Sequence, residues 1–575
     1  MKSKRLFLAF VTIAFIVLSG CEKDDNVTLV SITVTSQPTK KTYLVDETFD
    51  PAGMIVTATY SDKSTTLVTI NADNLTYDFS TAGTNKIVTI TVTYEDKTAT
   101  ATVTGITVNP IPELVVTVLG EYTYNGAPIE PSGENVTIKY GDITLTENDY
   151  TLSYSSNINA GMASITATGR GNYARSVGMA NFTINPIVAI FSVTVTGIYI
   201  YNGMPIMPSG ENVTIKYDDI TLNENDYTLS YYSNLFDGTA TVMVTGTGNY
   251  AGSSGTAFFT ILPFAGSGTN ANPYEISSLA QLARLATLVN TGNVDYNDKY
   301  YELTCDIDLS NSAEWNNGKG WIPIGSAFNA FSGHFDGKKH KVSNLYINDN
   351  TLTHAGLFGL ILGTVRNLGV DCDITGGSFV GGVVGNTFGS VTNCYSTGVI
   401  RGNYYVGGIA GYLNYNNSSV VNCYTTAEVS GSGYYVGGLV GVVYGGSIIN
   451  CYATGTVICN NYYVGGLAGT VENGGSLKNC VALNPSISCQ NFYLGRIAGQ
   501  DGTLSNNVAW DSMLINGSTV ISDSGSSLNG ADITKTTIAA DGSIGGRFTI
   551  NDGWTIENGK LPGFDTAVAL PEHLK

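Results

Sequence analysis

One pattern recurs through the C-terminal half of this chain and restricts its fold more than any other feature. Val380-Gly381-Gly382, Val406-Gly407-Gly408, Val436-Gly437-Gly438, Val464-Gly465-Gly466 and Leu494-Gly495-Arg496 follow one another at spacings of 26, 30, 28 and 30 residues. In step with them run Asn393-Cys394, Asn422-Cys423, Asn450-Cys451 and Asn479-Cys480, preceded by Asn367-Leu368 and followed by Asn506-Asn507. Units this short cannot each bury a core, so a fixed register between two motifs implies stacked coils. Between the motifs, short apolar runs such as 438–443, 447–452 and 455–457 alternate with Gly and Asn turns, which predicts a parallel β-helix rather than a sandwich.

The composition agrees. The chain has 575 residues, of which 68 are Gly, 35 Tyr and only 4 His, and 13% carry charge, poor material for helical bundles and for acid/base catalysis. The length suggests about four domains. With 46 acidic against 27 basic residues, spread thinly to a net −19, the surface does not suit a nucleic-acid partner held by phosphate neutralisation.

Lys2, Lys4 and Arg5 precede an apolar run from Leu6 to Leu18, too short to span a bilayer and of the length of a signal sequence. It ends in Leu18-Ser19-Gly20-Cys21, which resembles the bacterial lipobox. The resemblance implies a signal peptide over 1–20 and lipidation of Cys21, making the membrane a partner through that anchor. Lys23, Asp24 and Asp25, in a tether over 21–26, resemble the export signal that places some lipoproteins on the outer face of the outer membrane. The expected location is therefore the outer membrane, facing outward.

Residues 27–109 read as short β runs broken by Asp, Asn, Gly and Pro turns. The stretch from Pro38 to Tyr43, the run Phe49-Asp50-Pro51-Ala52-Gly53-Met54 and Tyr60-Ser61-Asp62 resemble a bacterial Ig-like domain, with Lys63 where that family commonly has Gly. A duplication at a period of 77 residues follows. Pro131–Tyr140 recurs unchanged at Pro208–Tyr217, and Tyr124-Asn125-Gly126 and Gly171-Asn172-Tyr173 return as Tyr201-Asn202-Gly203 and Gly248-Asn249-Tyr250. The copies, 113–185 and 190–262, resemble Ig-like repeats of bacterial surface proteins. Pro186 and Pro263 restrict their junctions, so the three modules are expected to act as a semi-rigid stalk of units on the order of 40 Å each.

The solenoid segment, 264–510, resembles the GLUG repeat family, with Gly438-Leu439-Val440-Gly441 and Gly466-Leu467-Ala468-Gly469 as its core. Trp321-Ile322-Pro323-Ile324-Gly325 and the run Phe331–Gly337 follow that family's order. Ser278 and Gln281 stand at capping-box spacing before Leu279, Leu282, Ala286 and Val289, predicting a helix over 279–290 that caps the N-terminal end. The tail, 511–575, with Trp554–Phe564, resembles the family's closing segment and is expected to cover the other end. The fold class is thus all-β: three Ig-like sandwich modules, then a parallel β-helix-type solenoid with one short capping helix.

Chemistry is harder to find. Of nine Cys, eight remain beyond Cys21, without Cys-x-x-Cys pairs or His at ligand spacing, so neither a metal nor a cofactor is expected. The Asn-Cys copies predict an inward thiol ladder. Cys459 and Cys489, each five residues before its Val-Gly or Leu-Gly motif, are the candidate disulfide pair. Between Gly376 and Trp510 the charged residues are too few and too scattered to form a carboxylate dyad. Asp306 and Asp308 alternate across a strand and, in the resembling family, belong to a structural signature. No catalytic residue is assigned, and a polysaccharide-cleaving β-helix stands third among the readings. GLUG repeats also occur in IgA-specific endopeptidases, whose zinc signature lies in another domain, so the resemblance implies surface placement. Asp511-Ser512-Met513 and Asp565-Thr566-Ala567 resemble O-glycosylation sequences. What remains is an aromatic series before each Gly turn: Tyr404-Tyr405, Tyr434-Tyr435, Tyr462-Tyr463 and Phe492-Tyr493. Strand alternation predicts one ring of each pair inward and the other outward. The sequence points to a non-enzymatic, adhesin-like surface protein that contacts glycans or extracellular proteins, the competing reading being a structural component of the outer-membrane surface.

Overall fold

In the computed structural model residues 27–575 are described, apart from 501, 522 and 523; the signal segment, Cys21, Lys23, Asp24 and Asp25 lie outside them. Two compact units form, one comprising the described residues up to Phe191 with Leu222–Thr228 and Thr245–Ser254, the other the described residues of Ser192–Thr221, Leu229–Val244 and Gly255–Lys575.

In the first unit, strands Leu29–Ser36, Ile55–Tyr60 and Thr65–Val68 make one antiparallel sheet. Thr42–Leu44, Lys97–Asn109, Gly83–Tyr94 and Leu75–Tyr77 make the facing one. Along Gly83–Tyr94 the buried Val88, Ile90 and Val92 alternate with more exposed residues, the period-two pattern of a sheet with one wet face. Lys63, at the family's Gly position, adopts φ +70°, so a residue with a Cβ holds the left-handed turn. The second sandwich repeats the plan, with Ile138, Ile165, Ala167 and Ile184 fully buried. In the second unit, Ser192–Val195, Val213–Tyr217 and Ile220–Thr221 reproduce one of its sheets in the third copy.

The solenoid is built from parallel pairs alone over its repeating coils. One coil runs through Val436–Gly437, Val440–Tyr444, Ser447–Ile449, Tyr452–Ala453 and Val457–Cys459. Each strand pairs with its equivalent in the next coil: Val436 with Val464, Val440 with Ala468, Ser447 with Ser476, Tyr452 with Val481 and Val457 with Ile487. The longest regular stack is nine strands deep. Val436, Leu439, Val443, Ile448 and Val457 fill one continuous core with their counterparts above and below.

Two corners explain the motifs. At the Asn-Cys corner, Asn367, Asn393, Asn422, Asn450, Asn479 and Asn506 all take φ between 50° and 57°, which Asn tolerates better than other residues with a Cβ. Asn393 donates to the Oδ1 of Asn367 at 3.0 Å and Asn479 to that of Asn450 at 2.7 Å, so the corners are tied coil to coil. The following Cys394, Cys423, Cys451 and Cys480 are fully buried. The backbone N–H of Cys394 reaches the Cys423 sulfur at 3.4 Å, and that of Cys423 the Cys451 sulfur at 3.3 Å. In the last coil Asn507 takes the thiol's place and its Oδ1 accepts from Cys480 N–H at 2.9 Å.

At the other corner, the second Gly of each Val-Gly-Gly lies under the backbone of the next coil. A Cβ on Gly438 would come within 2.0 Å of the Gly466 carbonyl oxygen, and one on Gly466 within 2.2 Å of the Arg496 oxygen. Position 496 begins the end cap, and there a side chain fits. The Arg496 side chain is fully buried and donates to the backbone oxygens of Trp510, Asn529 and Gly530 and to the Asp532 carboxylate.

The capping helix, α1 (Leu279–Asn290), forms over the expected residues, with Ser278 Oγ accepting from Gln281 N–H at 3.3 Å. Leu282, Leu285, Leu288 and Val289 bury into the solenoid core. Three short helical segments, Val294–Asn297, Trp315–Gly318 and Lys535–Ala539, add to it.

The tail, 511–575, divides into two parts. Residues 554–564 do not cover the end of the solenoid but lie along its flank. The outer side of the sheet there carries Tyr395, Tyr424 and Tyr452, stacked at 5.0 Å with planes 4° apart, an apolar row that water would otherwise cover. Trp554, Phe548 and Phe564 pack on it, with Trp554 and Phe564 at 4.6 Å. The end itself is met by the first part of the tail: Met513 is fully buried, and the Leu528 oxygen accepts from Ile497 N–H at 2.8 Å.

Cys459 and Cys489 are opposed on paired strands, and both thiols are free. Cys459 donates to the Gly433 oxygen at 3.0 Å and Cys489 to that of Asn461 at 2.5 Å. Burial pushes the Cys459 thiol up to about 11 and holds those of Cys394 and Cys451 well above the ordinary range. Because the thiolate is the reacting species, native protein treated with an alkylating reagent is expected to be modified, among the described cysteines, at the half-buried Cys305 alone. A separate, untreated sample unfolded without reductant should expose eight reactive thiols from Cys305 onward. A count of six would show that Cys459 and Cys489 are bridged.

Candidate functional site

The aromatic pairs before the Gly turns come together on the six-stranded sheet that links Thr353–Ala355, Ser378–Gly381, Tyr404–Gly407, Val436–Gly437, Val464–Gly465 and Leu494–Gly495. The expected alternation of one ring in and one out does not hold. Tyr404, Tyr405, Tyr434, Tyr435, Tyr462 and Tyr463 are all half-buried, and Phe492 and Tyr493 are exposed. The reason is the backbone: Tyr405, Tyr435, Tyr463 and Tyr493 have φ of 56°, 66°, 67° and 66°. A left-handed residue interrupts the pleat, so both members of a pair face outward. Each such conformation costs a residue with a Cβ about 1–2 kcal/mol, and it recurs in coil after coil.

Two rows result. The second ring of each pair forms a column, Tyr405 to Tyr435 at 5.2 Å, Tyr435 to Tyr463 at 4.9 Å and Tyr463 to Tyr493 at 4.7 Å, with planes 3° to 18° apart. Phe379 and His354 extend it at 4.7 and 4.8 Å, both also left-handed. The sequence signal for these two was their position directly before Val380 and Ala355, which a search for Tyr pairs passes over. The first rings, Tyr404, Tyr434 and Tyr462, stack at 5.7 Å in a row inclined about 50° to the column. Phe492 is 79% exposed and stacks on no ring among the described residues.

The motif glycines make room for this arrangement. A Cβ on Gly441 would lie 2.6 Å from the Tyr405 carbonyl carbon, and one on Gly469 2.8 Å from that of Tyr435. In Gly-Leu-x-Gly the first Gly therefore admits the next coil and the last admits the left-handed aromatic residue of the coil before. Tyr412 meets Tyr405 edge-on at 5.4 Å, and burial first, then the neighbouring phenols and Glu472, pushes its hydroxyl up to about 12. Tyr435 is raised for the same first cause. These phenols stay neutral at physiological pH.

Stacked rings cover one another's faces. What the column offers a ligand is a ribbon of ring edges and hydroxyls at the coil spacing, donors and acceptors in regular array. Such a surface matches a partner with its own periodic hydroxyl or amide groups better than a single planar ring.

Asp306 accepts from the Lys341 N–H at 2.9 Å and Asp308 from Ser310 N–H at 2.9 Å and the Asn344 amide at 2.8 Å. Those bonds hold both carboxyls below the usual range and commit them to the local turns. The charged groups that do converge, Glu302, Asp336, Lys338 and Arg366, belong to the coils before Gly376.

Residues 36–105 match the bacterial Ig-like domain (group 3), and residues 432–458 and 460–488 match the GLUG motif. The chain carries a bacterial Ig-like domain and GLUG repeats. Among curated relatives it is 37% identical over 176 residues to halomucin of Haloquadratum walsbyi, a match covering 29% of this chain and 2% of that protein. It is 34% identical over 134 residues to a provisionally named Gly-rich membrane protein of Evansella cellulosilytica, covering 22% of this chain and 15% of the relative. The chain thus spans a small part of the length of either. Among solved structures it is similar to a provisionally named immunoglobulin A1 protease from Bacteroides ovatus, 26% identical with a TM-score of 0.44, over 53% of this chain and 95% of the other. An IgA1 protease is similar at 16% identity and a TM-score of 0.34, over 59% of this chain and 27% of that one.

Proposed function

We propose that this protein is a lipid-anchored, surface-displayed, non-enzymatic binding protein, in which the Ig-like modules act as a spacer and the GLUG solenoid contacts extracellular glycans or proteins. One observation carries the reading: an outward aromatic array repeated over successive coils at a conformational cost, with a Gly kept beneath each ring-bearing segment. Strain maintained against its cost is characteristic of functional positions. The lipobox-like Cys21 and the membrane relative support a location at the cell envelope.

The test exploits the backbone. Replacing Tyr405, Tyr435 and Tyr463 together by Gly removes the rings and relieves the left-handed strain. Lost stacking, about 1 kcal/mol per ring pair, and relieved strain, about 1 kcal/mol per residue, then nearly cancel in stability. The parent protein, with Cys21→Ser, is expected to bind saturably in a screen of immobilised glycans and matrix proteins, and the triple variant to lose that binding at unchanged thermal stability. Binding kept by the triple variant would assign the column a bracing role and move the ligand elsewhere.

A further inference from the structure

The first coils carry a second arrangement on a different sheet. Tyr300–Leu303, His334–Asp336 and Thr364–Arg366 pair in parallel, with Tyr300 opposite His334 and His334 opposite Thr364, and with Glu302 opposite Asp336 and Asp336 opposite Arg366. The residues between them, Tyr301, Phe335 and Val365, are buried in the core, so these six positions form a grid on the outer face. A cavity of about 320 Å³ opens over the grid, with Lys338 on its rim.

The hydrogen bonds sort these groups by role. Asp336 is buried and fully engaged, accepting from Lys338 N–H at 2.8 Å, Arg366 Nε at 3.0 Å and the Asn367 amide at 2.9 Å. It is a positioning residue: holding Nε, it fixes the guanidinium plane while the Nη groups of Arg366, 57% exposed, stay available. Lys338 Nζ stands 3.0 Å from one oxygen of Glu302, leaving the other oxygen as an acceptor. His334 is held by Thr364 through Nδ1 at 2.9 Å and stacks on Tyr300 at 4.4 Å. The cavity therefore offers an oriented cationic fork, an ammonium, one carboxylate acceptor and the edges of two stacked aromatic rings.

We propose that this cleft binds a sugar acid. Its carboxylate pairs with the Arg366 Nη groups, beside Lys338, in the planar fork geometry that guanidinium provides. Its ring lies along the edges of the stacked His334 and Tyr300 rings, and a hydroxyl donates to Glu302. A volume of about 320 Å³ sits at the small end of ligand sites, room for a terminal residue rather than a polymer. A neutral sugar leaves the guanidinium edge unpaired, and a simple carboxylate leaves the aromatic edges bare. The site does not depend on the aromatic column, and the column variant serves as an internal control.

The full chain with Cys21→Ser, titrated calorimetrically with glucuronate, glucose and acetate, tests the assignment. Glucuronate is expected to saturate, with glucose and acetate each weaker by about 10-fold or more, the value of one charge-assisted contact. Arg366→Met should weaken glucuronate by a similar factor. Because that change also strips a partner from Asp336, Lys338→Met, at an exposed position, provides a second variant in which the fold is undisturbed, and it too should weaken binding. The Tyr405, Tyr435 and Tyr463 variant should bind glucuronate as the parent does. Equal affinity for glucose would overturn the role of the carboxylate, and equal affinity for acetate would reduce the cleft to a small-anion site. Unchanged glucuronate binding in both charge variants, or no binding to the parent, would remove the proposal.

Discussion

Replacing Gly438 by Ala is expected to destabilise the solenoid by roughly 3 kcal/mol or more, one of the largest single-methyl effects available in this chain. The added Cβ would sit 2.0 Å from the Gly466 carbonyl oxygen and 3.1 Å from the Ala453 Cβ. The first neighbour is backbone, next to the Gly465 oxygen that accepts from Gly438 N–H at 3.1 Å, and cannot rotate aside as a side chain would. Two coils must part, and with them the backbone bonds from Val436 N–H to the Tyr463 oxygen at 3.0 Å and from Val440 N–H to the Leu467 oxygen at 2.9 Å. Because each coil contacts only its neighbours, the loss falls on one interface, and denaturant unfolding should split into two transitions. Gly474→Ala is the matched control. There φ is +82° and no atom lies within 4 Å of an added Cβ, so only the left-handed penalty applies. That change should cost about 1 kcal/mol and leave a single transition. Equal effects of the two substitutions would show that backbone conformation, not coil contact, is why these positions are Gly.

The register of the coils was open to reading because it is a relation between two motifs in one dimension. The interval from each Asn-Cys to the next Val-Gly-Gly measures the chain between the same two corners. The capping helix was legible for a similar reason: Ser278, Gln281 and an apolar period of three to four residues are local signals. Three features were not. The outward face of both rings in Tyr404-Tyr405 depends on the sign of φ at Tyr405, and a Tyr pair inside a β run carries no mark of it; the Gly at 441 is the distant trace. The place of Trp554 depends on what needs covering, and the apolar row of Tyr395, Tyr424 and Tyr452 becomes a row only after the coils are stacked. Glu302, Asp336 and Arg366 meet because three strands of irregular spacing align, and those coils do not share the repeat that made the later ones readable. Lys63 is a smaller case, a residue with a Cβ in a turn where the family commonly has Gly.

Arg496→Met is expected to open the C-terminal end of the solenoid at a cost of roughly 3–5 kcal/mol. In the Val-Gly-Gly series this position is Gly until the last coil, because the next coil's backbone lies over it. At 496 a cap takes the place of a further coil, and the arginine fills the space. Its donors reach three backbone oxygens, those of Trp510, Asn529 and Gly530, with Nε to Asn529 at 3.0 Å. It also pairs with Asp532, whose side chain is 30% exposed. Methionine matches much of the volume and none of the donors, so the substitution leaves buried carbonyls unsatisfied rather than a simple cavity. The consequence reaches past stability. An uncapped parallel stack presents a row of unpaired N–H and C=O groups, a template for another copy of the chain. The variant should therefore form concentration-dependent oligomers in analytical ultracentrifugation under conditions where the parent stays at one size, and hydrogen exchange should rise first over residues 497–533. Arg496→Lys, which keeps the charge but not the planar set of donors, should fall between the two. If methionine and lysine both behave as arginine does, the end is sealed by the packing of Met513 and Leu528 alone, and the break in the Gly series at 496 is only a tolerance of the last coil.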